Sequence, residues 1–138
     1  MTREDYAGAA ALWRSACEVR LRALDDSEDG IARFLARNPR TCFVAERGGI
    51  LAGALLSGHD GRRGFIYHAA VRAEYRSQGL GSALLSAAEQ ALRREGIHKI
   101  ALAVCKTNAA GNRFWEKRGF FVRDDLVYRD KSVNEENS

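Results

Sequence analysis

The chain has 138 residues with a formal net charge of +4 at pH 7, and its composition is 46% hydrophobic and 29% charged. These values are typical of a single globular domain, and they exclude collagen-like, intrinsically disordered and disulfide-dense proteins. No apolar run reaches the roughly 20 residues that span a bilayer, and the N-terminus lacks the pattern of a signal peptide, so we expect a cytoplasmic protein with no membrane partner.

The basic balance of the chain does not by itself indicate a nucleic-acid partner. Lysine and arginine are interleaved with acidic residues and form no run of five or more, and no platform of aromatic and basic residues accompanies them. Cys17, Cys42 and Cys105 lack the close pairing that is typical of a zinc site or a disulfide framework. We therefore expect reduced thiols, no metal and no nucleic acid.

Two helices are predicted at the start of the chain. Residues 2–5 can cap a first helix, whose apolar residues recur at helical spacing from Tyr6 through Cys17 to Leu21. A shorter second helix is expected to end before Pro39, the only proline, because proline disfavours a helical conformation in the residue before it.

Three strands follow in a predicted meander. Residues 41–46 and 50–58 are joined at residues 47–49, whose Arg-Gly-Gly sequence favours a hairpin turn. The polar, glycine-bounded residues 58–64 form a second turn, which leads into a strand over residues 65–71.

Helices and strands alternate in the second half. A long amphipathic helix is predicted from near Gly79 to its cap at Gly96. An apolar strand over residues 99–104, a helix over residues 108–118 and a last strand region over residues 120–128 complete the pattern.

The order of these elements predicts an α/β fold with a mixed sheet. An antiparallel meander is followed by a β-α-β-α-β arrangement, which places helices on both faces of the sheet. A single domain is expected over residues 1–129, and residues 130–138 are expected to be a disordered tail.

The loop over residues 75–81 follows a strand and opens the long helix. Its two glycines let a ligand approach the backbone, and the free N–H groups of the first helical turn favour a pyrophosphate. Arg76 adds a cation. The loop lacks the P-loop ending and the dinucleotide-binding spacing, so ATP and NAD are not expected. A tightly packed turn without a ligand is the alternative.

The motif Arg-x-x-Gly-x-Gly follows Ala69-Ala70-Val71 and precedes Asn108 and the stretch Phe114-Trp115-Glu116-Lys117-Arg118-Gly119-Phe120. With these residues in this order, the chain resembles the GNAT N-acetyltransferase superfamily over residues 2–128. From Phe43 to the glycine loop, the chain is most similar to the YpeA-type bacterial acetyltransferases. The resemblance implies a GNAT-like fold and direct transfer of an acetyl group from acetyl-CoA to a primary amine, in a small molecule or a protein, through a ternary complex. It also implies a short strand before the first helix, for which the chain has no matching residues.

The resemblance also implies which residues hold acetyl-CoA. The strand before the glycine loop would offer main-chain groups to the pantetheine arm at Ala69, Ala70 and Val71. The pyrophosphate would lie on Arg76, Ser77, Gln78, Gly79, Leu80 and Gly81. Asn108 would contact the same arm, or it only caps its helix. Trp115 stands where many members carry a tyrosine acid; since an indole is no acid, it would orient the sulfur or only pack.

The proton acceptor is less clearly marked. Ala103 stands where related N-terminal acetyltransferases often carry a glutamate, which leaves His68 as the candidate base because histidine titrates near neutral pH. Water relayed through backbone carbonyls is the alternative, and the remaining candidates are Tyr67, His59, Asp60 and Glu74. Strand alternation predicts that Tyr67 and His68 point to opposite faces, so that only one of them can face the cleft. Cys105 has no evident thiolate-stabilising partner and is interpreted as a buried thiol.

Two further interpretations concern partners. The departures at Ala103 and Trp115 are compatible with a catalytically weak or inactive module that senses acyl-CoA. Four acidic residues either attract a cationic amine or form a solvated helix start: Asp25, Asp26, Glu28 and Asp29. Exposed strand edges are compatible with a homodimer.

Overall fold

The computed structural model describes residues 1–16 and 19–138, so Cys17 lies outside the described residues. The elements are α1 (Tyr6–Ser15), α2 (Glu28–Arg37), β1 (Phe43–Arg47), β2 (Ile50–His59), β3 (Gly64–Val71), α3 (Leu80–Arg94), β4 (Ile100–Leu102) and α4 (Ala109–Lys117). Short 3-10 turns cover Arg3–Asp5 and Ala73–Tyr75. No described helix is both long and apolar enough to cross a bilayer.

The sheet is mixed, with the strand order β1-β2-β3-β4. The pairs β1–β2 and β2–β3 are antiparallel, and β3–β4 is parallel, which confirms the predicted meander and the mixed sheet. The parallel pairing joins only Gly64–Ile66 to Ile100–Leu102. Beyond Ile66 the second half of β3 therefore has a free edge on the side of β4.

Helices cover both faces of the sheet, as predicted. On one face Leu12 and Trp13 of α1, together with side chains of α2, pack against Leu56 of β2. On the other face Leu84 of α3 packs against Leu55, with side chains of α4 at the rim. Neighbouring residues of β2 thus enter opposite cores, because side chains alternate along a strand.

A β-bulge interrupts the pairing of β2 with β3. Ala54 pairs with Ala70 and Leu56 with Tyr67, so Leu55 alone faces two residues of β3. One of these two, His68, has a φ of 50°, which is uncommon for a residue with a side chain. The His68 carbonyl accepts a 2.8 Å hydrogen bond from Trp13 Nε1. The bulge is therefore held from α1 as well as from the sheet.

The first helix is shorter than its apolar pattern predicts. α1 ends at Ser15, and Ala16 is extended. Val19 and Leu21 reach the core from the irregular chain that follows. Their burial, and not a continued helix, explains the apolar spacing. No strand precedes α1 in the described chain, and the Met1 amino group donates to the Cys42 carbonyl at 2.9 Å.

The predicted strand over residues 120–128 is wrong. The chain turns at residues 124–125, and the Leu126 N–H donates to the Arg123 carbonyl at 3.4 Å. Acidic residues favour such turns, and this one divides the segment into two apolar runs too short to form a ladder. Phe121 and Tyr128 are consequently about three-quarters exposed, at 76% and 74%.

Candidate active site

Two cavities lie along the free edge of β3. One, of about 400 Å³, is enclosed by the end of β3, the start of α3 and the side of α4. The other, of about 1020 Å³, is lined by residues 19–37, by β3 and by residues 102–105. Four residues line both: Val19, Ala69, Asn108 and Trp115. We call the smaller space the donor cavity and the larger one the acceptor cavity. A group placed where they meet would be accessible to molecules in both cavities.

The donor cavity is formed largely by the residues that the resemblance implies for the cofactor. Those lining it are Ala69, Ala70, Val71, Arg76, Ser77, Gly79, Leu80, Gly81, Asn108 and Trp115. Gln78 is the exception, since its side-chain amide donates to the Glu74 carbonyl at 3.5 Å and it does not line the cavity.

The loop before α3 has the conformation of an anion-binding turn. Ser77 and Gly79 have φ values of 62° and 82°, and α3 begins directly after Gly79. The N–H groups of the first helical turn have no acceptor within the helix, so they are available to an anion. Arg76 Nε donates to the Val71 carbonyl at 3.1 Å, which leaves its terminal nitrogens for the same anion. No atom approaches within 4 Å of a Cβ built on Gly79, so the loop has open space above it.

The donor cavity also contains residues that were not predicted as site residues, and three of them, Ser82, Phe114 and Arg118, contact one another. Arg118 Nε donates to Ser82 Oγ at 3.1 Å, and its guanidinium carbon lies 3.8 Å from the centre of the Phe114 ring. The end of α4 is thereby fixed to the first turn of α3. All three residues line the cavity. Arg118 and Phe114 belong to the stretch that carries the resemblance, but no spacing rule marks them as ligand contacts.

Asn108 and Trp115 have structural roles at the junction of the cavities. Asn108 Oδ1 accepts from the Gly111 N–H at 2.9 Å and so caps α4. Its amide nitrogen remains available to the cavities. The Trp115 ring packs edge-on against Phe114 and Phe120, at centroid distances of 4.9 and 5.3 Å. Packing therefore fixes the indole at the point where the cavities meet.

The acceptor cavity contains a histidine–carboxylate pair. His68 Nε2 lies 2.6 Å from Asp26 Oδ1, and the two side chains are 16% and 8% exposed. Asp26 Oδ2 also accepts from the Arg22 N–H at 2.6 Å. The pair joins residues 42 positions apart, so no local pattern in the sequence marks Asp26 as the partner of His68.

Tyr67 lines the acceptor cavity together with His68, so the prediction that only one of them faces the cleft is wrong. The bulge at His68 breaks the alternation of side chains along β3. Tyr67 packs edge-on against Phe34 of α2 at 5.8 Å. Burial raises the pKa of the Tyr67 hydroxyl, and nearby Tyr128 and Asp25 add to this effect.

The other titratable candidates lie outside the linings of the two cavities. His59 Nδ1 accepts from the Gly61 N–H at 2.9 Å, and its Nε2 lies 3.4 Å from Glu95. Asp60 accepts from two backbone N–H groups of its turn, and these bonds lower the pKa of its carboxyl. Glu74 is exposed. None of these three candidates lines either cavity.

The described cysteines differ in their surroundings. Cys105 lines the acceptor cavity beside Ala103 and is half-buried. Cys42 is buried in the core, and burial raises the pKa of its thiol to about 11. Neither forms a disulfide in the described chain.

Comparisons with known proteins agree with this geometry. Residues 8–120 match the acetyltransferase (GNAT) family. An acetyltransferase of Sodalis glossinidius is 33% identical over 133 residues, which cover 96% of this chain and 92% of that protein. The PaiA N-acetyltransferase of Thermoplasma acidophilum, solved in complex with coenzyme A, superposes with a TM-score of 0.76 at 19% identity, over 90% of this chain and 88% of the other. An aminoglycoside acetyltransferase from a soil metagenome, solved with trehalose, gives a TM-score of 0.75 at 20% identity, over 97% and 93%.

Proposed function

Because this chain belongs to the GNAT family of acetyltransferases, we propose that it transfers an acetyl group from acetyl-CoA directly to a primary amine, in a ternary complex. The observation that carries the proposal is the meeting of the two cavities, which share the lining residues Val19, Ala69, Asn108 and Trp115. A donor in one cavity and an acceptor in the other would react there without a covalent enzyme intermediate. Acetyl-CoA supplies an activated thioester, whose thiolate leaves readily because thiols have a pKa of about 8.5.

The donor cavity fits a pyrophosphate and an extended arm. The pyrophosphate would accept hydrogen bonds from the N–H groups that begin α3 and from the free nitrogens of Arg76. The arm would run along Ala69–Val71, where the edge of β3 on the side of β4 has no partner strand in the described chain. The coenzyme A complex of the PaiA enzyme, which shares this fold, supports the assignment.

The free edge of β3 also supplies a place for developing charge. When the amine nitrogen bonds to the acetyl carbon, negative charge grows on the acetyl oxygen until the bond to sulfur breaks. A fixed backbone N–H of residues 69–71 stabilises that charge better than water does, because it needs no reorganisation.

His68 would accept the proton that the amine loses. Asp26 holds its Nε2, so Nδ1 is the nitrogen left for the proton. Asp26 is a positioning residue, since it fixes the ring through a 2.6 Å contact. The same ring packs on Trp13 at 5.2 Å, which restricts its rotation.

Titration calorimetry of acetyl-CoA tests the donor cavity. We expect the wild type to bind, and Arg76→Ala to weaken binding by roughly 10-fold, as the loss of a charge-assisted hydrogen bond implies. Arg94→Ala, which removes a charge at the far end of α3, is the matched control and should bind as the wild type does. A folded wild type that fails to bind acetyl-CoA would refute the proposed function.

Steady-state kinetics with an amine panel tests His68. We expect His68→Ala to lower kcat by about 10²–10⁴-fold, with unchanged acetyl-CoA affinity and loss of the acidic limb of the pH profile. His98→Ala, at an exposed histidine outside both cavities, is the control. Asp26→Asn, which weakens the contact that holds the ring, should lower kcat and leave acetyl-CoA affinity unchanged. A pH profile that keeps its limb in His68→Ala would instead favour water relayed through backbone carbonyls.

An acyl-CoA sensor is the second candidate function. Ala103 lines the acceptor cavity without a titratable group, and Trp115 packs among aromatic rings at the position of the family's acid. Tight binding of acetyl-CoA without acetylation of any amine in the panel would favour this candidate.

A further inference from the structure

Four arginines line the acceptor cavity. Two lie on the chain before α2, and two lie one helical turn apart on α2, which places them on the same face of that helix: Arg20, Arg22, Arg33 and Arg37. Within residues 1–16 and 19–138, none of their guanidinium groups lies within 4.0 Å of a carboxylate. All four arginines are exposed, so their guanidinium groups are accessible to an anion that enters the cavity.

The carboxylates in the same region are all engaged. Asp25 accepts from the Asn137 side-chain amide at 2.7 Å, and Asp26 binds His68 at 2.6 Å. The two acidic residues that begin α2, Glu28 and Asp29, lie 3.0 and 2.9 Å from Arg3. Each carboxylate of the acidic cluster therefore already has a partner within the chain. Four arginines against two aspartates leave the lining of the cavity with a formal charge of +2.

The arginines of α2 line the same cavity as His68. Phe34, the neighbour of Arg33, packs edge-on against Tyr67, the neighbour of His68, at 5.8 Å. A small acceptor held by α2 would consequently reach the histidine across the cavity. Nearby cations also disfavour a protonated ammonium group, so they help the acceptor to become the neutral amine that attacks.

From these observations, and resting on the proposed acetyltransferase function, we propose that the acceptor is a primary amine that also carries an anionic group, which Arg33 and Arg37 bind. Guanidinium groups pair with carboxylates and phosphates in a bidentate manner, so both anions fit. A polyamine is excluded from this class because the cavity repels additional positive charge.

Pairs of amines that differ only in the anion test the proposal. The panel is 4-aminobutanoate with 4-aminobutanamide, phosphoethanolamine with ethanolamine, and spermidine as a polycation. We expect the wild type to favour the anionic member of at least one pair by roughly 10-fold or more in kcat/KM, as one charge-assisted contact implies. Which pair shows the larger ratio distinguishes a carboxylate from a phosphate.

Charge-removing variants assign the preference to α2. Arg33→Gln with Arg37→Gln should raise KM for the anionic amine about 10-fold or more and leave both the amide's KM and acetyl-CoA binding unchanged. Arg14→Gln, at an exposed position on α1 outside both cavities, is the control. Equal use of the paired amines, a preference for spermidine, or an unchanged ratio in the double variant would overturn the inference.

Calorimetry separates this inference from the proposed function. Binding of 4-aminobutanoate or phosphoethanolamine in the presence of coenzyme A, lost in the double variant, would support the anion site even if no acetylation occurred. Turnover without anion selectivity would leave the acetyltransferase function standing and refute the anion site.

Discussion

The Trp13→Phe substitution tests whether α1 holds the bulge of β3. Trp13 is 0% exposed, and its Nε1 donates to the His68 carbonyl at 2.8 Å. Phenylalanine leaves that carbonyl without its partner, which costs about 1–3 kcal/mol. The smaller ring also leaves roughly 40 Å³ unfilled, worth about 1 kcal/mol at about 24 cal/mol per Å³. The free energy of unfolding should therefore fall by about 2–4 kcal/mol.

Urea denaturation followed by circular dichroism measures this change without depending on tryptophan fluorescence. Trp115→Phe is the matched control, because the same atoms are removed from an indole whose N–H has no hydrogen-bond partner in the described chain. We expect the control to lose less than half as much stability. If the two variants unfold at the same urea concentration with equal slopes, the hydrogen bond to the bulge contributes nothing and the reasoning fails.

Three smaller predictions follow from other parts of the chain. In Gly81→Ala the new Cβ would lie 3.1 Å from the Phe114 ring, so acetyl-CoA should bind several-fold more weakly in calorimetry. Burial raises the pKa of the Cys42 thiol to about 11. The stability that the protonated thiol contributes is complete below its ordinary pKa of about 9 and is lost as the pH rises through 11. Unfolding measured across this pH range should show the loss in the wild type and not in Cys42→Ala. Asn137→Ala removes hydrogen bonds to residues 24–25, so amide exchange should accelerate at residues 22–26 without a change in global stability.

The order of helices and strands could be predicted because each has a local signal. The period of α3, the glycines after β1 and the glycine loop before α3 all mark their elements within a few residues. Two predictions failed because apolar spacing does not by itself determine the backbone conformation or the burial of a segment. Leu21 continues the apolar spacing of α1 but packs from an irregular segment, and Phe121 follows a strand-like pattern but remains exposed.

The donor cavity was more predictable than the acceptor cavity because its residues carry a local signal in the sequence. Most of its residues lie in one contiguous loop and strand, so sequence motifs describe it. The acceptor cavity depends on a contact between His68 and Asp26 across 42 positions, and on a bulge that turns Tyr67 toward the same space. No period in the sequence encodes a bulge, because a single extra residue reverses which face the neighbouring side chains occupy.

The location of the candidate base depends on elements outside the sheet. His68 adopts a left-handed φ of 50°, a conformation that a side-chain-bearing residue keeps only when its surroundings fix it. Here Trp13 of α1 holds its carbonyl and Asp26, before α2, holds its ring. The acceptor side therefore positions the base, while Ala69–Val71 on the same strand face the donor cavity. Changes at residues 19–27 should consequently affect kcat as well as the acceptor KM, because the segment that lines the acceptor cavity also sets the distance between the base and the acetyl group.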